Sequence, residues 1–71
     1  MEMKVIDARG RSCPEPVILT KKAIDSGIRE CAVLVDSRVS LENVTRFAKN
    51  AGFHVDETQE DGGVRLNLKK D

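Results

Sequence analysis

Aromatic side chains are scarce in this chain. Its 71 residues include two phenylalanines, Phe47 and Phe53, and no Trp or Tyr. Single-stranded nucleic acid is held on aromatic stacking platforms, and its phosphates select a basic surface. Here twelve basic residues cancel twelve acidic ones, so direct nucleic-acid binding is not expected. No apolar run approaches the roughly 18 residues of a membrane span, and Met1-Glu2-Met3-Lys4 runs straight into strand-like sequence without the pattern of a secretory leader. There are two cysteines, Cys13 and Cys31, and a single histidine, His54. That is too little for a disulfide scaffold or for a zinc site, which takes about four ligands. The expectation is a cytoplasmic, reducing location with both thiols free, and no metal or cofactor. A chain this short buries only about 60% of its unfolded surface. Any reactive group is therefore expected near the surface, at a loop or element end.

The hydrophobic pattern divides residues 1–71 into six elements of one domain. Residues 3–8 carry β-branched side chains in partial alternation and predict a strand. Residues 14–27 predict a helix whose buried face is Pro16, Val17, Thr20, Ala23, Ile24 and Gly27, with Gly27 closing it. Residues 30–36 form a short, nearly continuous apolar run, the mark of a central strand covered on more than one side. A second helix is predicted over 41–51, with Ser40 as its cap and an apolar stripe of Leu41, Val44, Phe47, Ala48 and Ala51. Residues 53–58 and 64–68 alternate with period two around the Asp61-Gly62-Gly63 turn, predicting a hairpin. The order βαβαββ implies an α+β fold: a two-layer sandwich with a four-stranded mixed sheet and two helices on one face. The other sheet face is left open, with Lys4, Arg65 and polar hairpin residues as its expected occupants.

The most informative segment is Cys13-Pro14-Glu15-Pro16, between the loop Arg9-Gly10-Arg11-Ser12 and the first helix. Proline suits the first helical position, so Pro14 reads as that residue and Cys13 as the N-cap. A thiol there faces the positive end of the helix dipole. Pro16 donates no hydrogen bond, which leaves the amides of Glu15 and Val17 as first-turn donors. Arg9 and Arg11 add positive potential. Together these favour a thiolate and a lowered thiol pKa. Against this, most cysteines in small domains are inert packing residues, and cysteine is not a preferred N-cap. No base is close to Cys13 in sequence. His54 starts the third strand, and the acids Asp7, Glu15 and Asp36 are weak acid/base candidates, since charge on strand and helix ends usually serves solvation. A lone activated thiol suits a carrier, which needs a nucleophile and access and little else.

The run Asp7-Ala8-Arg9-Gly10-Arg11-Ser12-Cys13-Pro14-Glu15-Pro16-Val17, followed by Thr20-Lys21-Lys22-Ala23, resembles the TusA/SirA/YedF family of small sulfur-carrier-like domains. So do the Val-Asp close of the second strand, Glu42-Asn43-Val44 with Phe47-Ala48, and Gly52. The resemblance spans nearly the whole chain, and the second-helix region is more similar to YedF-like domains. It implies the same sandwich, with Cys13 as the sulfur-accepting residue and Arg9, Gly10, Pro14, Glu15 and Pro16 as its supporting motif. It implies a sulfurtransferase-like carrier that takes sulfur as a persulfide from a cysteine desulfurase and passes it to a DsrE-like or other thiol acceptor, serving tRNA thiolation or sulfur and selenium metabolism. YedF-like members often carry a further DsrE-like domain. Cys31 matches nothing functional in the motif and is expected to be a buried packing residue. Two other readings stand beside the carrier: a non-enzymatic regulatory or interaction module of the SirA/YedF type, and a thiol redox protein using Cys31 as the resolving cysteine.

Overall fold

The computed structural model describes residues 4–11 and 15–70. Within them lie β1 (Lys4–Asp7), α1 (Glu15–Asp25), β2 (Glu30–Val35), α2 (Arg38–Asn50), β3 (Phe53–Glu60) and β4 (Gly63–Lys70). The four strands make one mixed sheet in the order β1-β2-β4-β3. β1 runs parallel to β2, and β4 is antiparallel to both β2 and β3. The α+β sandwich expected from the pattern is thus the fold. The expected hairpin forms the antiparallel side of the sheet, with β4 beside β2 and β3 at the edge.

Period-two alternation explains the core. Cys31, Val33 and Val35 of β2 stand in register with Leu68, Leu66 and Val64 of β4. The cluster they form also contains Ile6, Ala23, Val44, Ala48 and Phe53, so both helices contribute to it. α1 buries Pro16, Thr20 and Ala23, and α2 buries Ser40, Val44 and Ala48, the three-to-four spacing of a core-facing helical stripe. Burying one Leu or Val side chain of this kind contributes roughly 1.5–3 kcal/mol. Thr20 is fully buried, and its hydroxyl donates to the carbonyl of Pro16 at 2.8 Å, which removes the penalty of an unpaired buried donor. Among the described residues, no helix is long and apolar enough to cross a membrane.

Two local expectations are corrected. The second helix starts at Arg38, three residues before the predicted start, because Ser37 and not Ser40 is its N-cap. Ser37 is extended (φ −139°, ψ 151°), and its hydroxyl oxygen accepts from the Ser40 amide, the usual N-cap-to-N3 bond. Ser40 points inward, at i−4 from Val44, and its Oγ accepts from Ser37 at 3.0 Å. The second correction concerns Lys4. Its register partner is Cys31, whose side chain lies under the helices, so Lys4 falls on the helix side at the sheet margin. The open face instead carries the rows Val5–Ala32–Asn67–Asp56 and Asp7–Leu34–Arg65–Thr58. There Arg65 Nε donates to Asn67, which in turn donates to Thr58. Ala32 is fully buried and Leu34 half-buried on that face, in keeping with a central strand covered on both sides.

Candidate functional site

The parallel pairing of β1 with β2 brings the ends of both strands to the same edge of the sandwich, where α1 and α2 begin. Pairing continues one residue past β1, the buried Ala8 donating from its amide to the Leu34 carbonyl at 2.8 Å. The chain then leaves the sheet through Arg9, Gly10 and Arg11, and each of these is tied down. The Asp7 carboxylate accepts from the Arg9 amide at 3.1 Å, from Nε at 2.9 Å and from Nη2 at 3.0 Å. Gly10 has φ +75°, a left-handed turn that glycine adopts without steric cost. Its amide donates to Asp36 Oδ2 at 2.8 Å, across 26 positions of sequence. The Arg11 amide closes a turn onto the Ala8 carbonyl at 3.4 Å. The Arg11 guanidinium reaches forward to Glu15 Oε2 at 3.2 Å, joining the loop to the first residue of α1.

Cys13 and Pro14 lie outside the described residues, and with them the expected N-cap and first helical position. The segment holding them is nevertheless bracketed. It leaves from Gly10, bonded to β2's end, and returns at Glu15, paired with Arg11. Of the residues expected to support Cys13, Arg9, Gly10 and Glu15 gather at this edge. Pro16 is fully buried in the core and acts through packing.

Charge at the edge is largely compensated in place. The bonds from Arg9 hold the Asp7 carboxyl down to about 2. In turn Asp7 raises Arg9, and the carboxylates of Glu60 and Asp36 add smaller contributions. The end of β3 also reaches this corner, where Glu60 lines a groove together with Asp36. A carboxyl whose folded pKa is depressed stabilises the fold above its unfolded pKa. That contribution is present above pH 3.8 and is lost as pH falls from there to about 2. Acid unfolding of an Asp7→Asn variant is thus expected to show a shallower stability loss over this window, read from urea midpoints at successive pH values.

Asp7, Glu15 and Asp36, which the sequence left between chemistry and solvated ends, each have a partner in or beside the loop. Asp36 is the residue whose role the sequence concealed. The only available signal was the parallel pairing of the first two strands, which places the end of the second beside the loop leaving the first. Beside it an open groove of about 460 Å³ runs between α2 and the hairpin, lined by Asp36, Arg38, Leu41, Glu57 and Glu60 among others.

His54 is not brought to this edge. It stands in register with Lys69, which pairs with Glu30 at the opposite end of β2, on the order of 20 Å along the strands from Glu60. Cys31 is also near that far end. It is a fully buried free thiol, and burial pushes its pKa up, the opposite of a reactive cysteine. In a Cys13→Ala chain, a disulfide reagent is expected to find no reactive thiol until denaturant is added. Fast native labelling of Cys31 contradicts this environment.

Comparison with known proteins agrees with the fold and with the family resemblance. A family model described as Sulfurtransferase TusA matches residues 4–70. A protein of Methanocaldococcus jannaschii named as a candidate sulfur carrier is 39% identical over 71 residues, covering 96% of this chain and 95% of its own length. A second candidate sulfur carrier, from Bacillus subtilis, is 31% identical over 64 residues, covering 86% of this chain and 84% of its own. The crystal structure of a SirA-like protein from Desulfitobacterium hafniense superposes with a TM-score of 0.85 at 34% identity, covering 94% and 96% of the two chains. With the family match spanning nearly every residue and the same sandwich in a solved relative, the chain belongs to the TusA/SirA family.

Proposed function

We propose that the chain carries sulfur as a persulfide on Cys13. The Cys13 thiolate attacks the outer sulfur of a donor persulfide. A new S–S bond forms at Cys13, the donor's S–S bond breaks, and the donor leaves as a thiolate. The second step is the mirror of the first: an acceptor thiolate attacks the outer sulfur on Cys13, and Cys13 returns to a thiolate. Neither step needs an oxidant, a metal or a general base if the thiol is already ionised. A cysteine desulfurase is the donor and a DsrE-like or other thiol protein the acceptor, with the sulfur destined for tRNA thiolation or for sulfur and selenium metabolism.

The observation supporting this reading is the anchoring of the Cys13 segment. Gly10 is bonded to Asp36 and Arg11 to Glu15 on either side of it, at the edge where both helices begin. The family's sulfur-carrier names agree with it. Incubation with a cysteine desulfurase and cysteine is expected to add about 32 Da, one sulfur, removable by dithiothreitol. Intact mass spectrometry followed by peptide mapping reads both the gain and its site. An adduct found on Cys31 alone overturns the proposal.

A further inference from the structure

Asp36 is exposed and directly follows β2, yet its carboxylate reaches across to the loop that leaves β1. Oδ2 accepts the Gly10 amide at 2.8 Å, and Gly10 sits in the left-handed region at φ +75°. Strand pairing ends at Ala8. Beyond it, the loop's other side-chain ties run to residues near it in sequence, Arg9 to Asp7 at the end of β1 and Arg11 to Glu15 at the start of α1. The Asp36 bond alone among these crosses to the residue that follows the central strand β2, and it does so three residues before Cys13.

We infer that Asp36 is a positioning residue for the Cys13 thiol, acting through the Gly10 amide as a hydrogen-bond acceptor and not through its charge. The inference rests on the sulfur-carrier reading for its purpose, but the bond's effect on the thiol is measurable without any sulfur transfer. When the bond is lost, the loop must be ordered anew each time the thiol meets a reaction partner, and part of that conformational entropy is charged to the transition state. The carboxylate's charge has the opposite effect, since a negative group near a thiol disfavours the thiolate. Replacing Asp36 with Ala or Asn removes the charge in both cases and the acceptor only in the first.

The test compares these two variants with the parent. The second-order rate of Cys13 alkylation by iodoacetamide is measured at pH 7, with Cys31 silent in the core. Asp36→Asn is expected to react within about twofold of the parent, and Asp36→Ala about fivefold more slowly than Asp36→Asn, the size of one ordinary hydrogen bond. In the amide NMR spectrum the Gly10 resonance should move in the Ala variant and stay near its parent position in the Asn variant. Equal rates in the two variants, whether fast or slow, overturn the inference. So does a melting midpoint for Asp36→Ala more than about 10 °C below that of Asp36→Asn, which makes the residue one of fold stability. If the desulfurase loads no sulfur onto the parent, the carrier reading fails while these alkylation rates still decide the role of Asp36.

Discussion

A Cys13→Ala chain is expected to take up no sulfur from a desulfurase, a loss of the entire mass gain. The effect is total because persulfide exchange needs a sulfur nucleophile at the attacking position, and no other described side chain supplies one. Cys31 is no substitute. It is fully buried between α1, β1 and β4, and its thiol is held neutral by desolvation. Cys13→Ser is expected to behave like Cys13→Ala, since a hydroxyl has no accessible anion at neutral pH. The complementary variant, Cys31→Ala, should load fully while losing about 1–2 kcal/mol of stability, the cost of a small cavity in a packed core. A cell-based assay separates the carrier from the regulatory-module reading. If Cys13→Ser supports normal function, the sulfur-transfer role is lost and binding alone accounts for the protein.

Gly63→Ala is expected to lower stability by about 1–3 kcal/mol, the cost of forcing a methyl group into occupied space. Gly63 opens β4, and a Cβ there would drive into the carbonyl oxygen of Val35 and crowd the backbone of Asp36. These are backbone atoms of the central strand and cannot swing aside as a side chain does. A domain of this size holds only about 3–5 kcal/mol in total, so the substitution removes a large part of it. The urea midpoint is the measurement, and Gly63→Val should be worse than Gly63→Ala. An unchanged midpoint for the alanine variant would mean that β2 and β4 are not in close contact at this end. The same contact packs the strand beneath Asp36, so the variant also tests whether the corner holding the Gly10 amide depends on the hairpin.

The helices, the strands and the core stripe were legible because each rests on local periodicity. Thr20, Ala23, Val44 and Ala48 sit at helical spacing, and Cys31, Val33 and Val35 at strand spacing, so hydrophobic burial leaves them one side to face. The start of α2 was less legible. Ser37 and Ser40 are both good caps by type, and only the inward turn of Ser40, four residues before Val44, excludes it. Lys4 was misplaced because its face depends on pairing with Cys31, a contact with a residue far along the chain. Strand order was equally hidden. A hairpin's two strands are adjacent by necessity, but which of them joins β2 is a matter of packing, and Leu66 and Leu68 settle it by meeting Val33 and Cys31.

By itself the amino-acid sequence determined the element types, the α+β class, the family resemblance and the choice of Cys13 over Cys31 as the thiol of interest. All of these follow from local spacing and residue chemistry. Only the tertiary structure decided that Cys31 is fully sealed in the core, that His54 stands at the wrong end of the sheet, and that Asp36 holds the Gly10 amide across 26 positions. Such contacts arise when a parallel crossover lays two strand ends side by side, and no local pattern in the chain encodes which carboxylate will meet which amide.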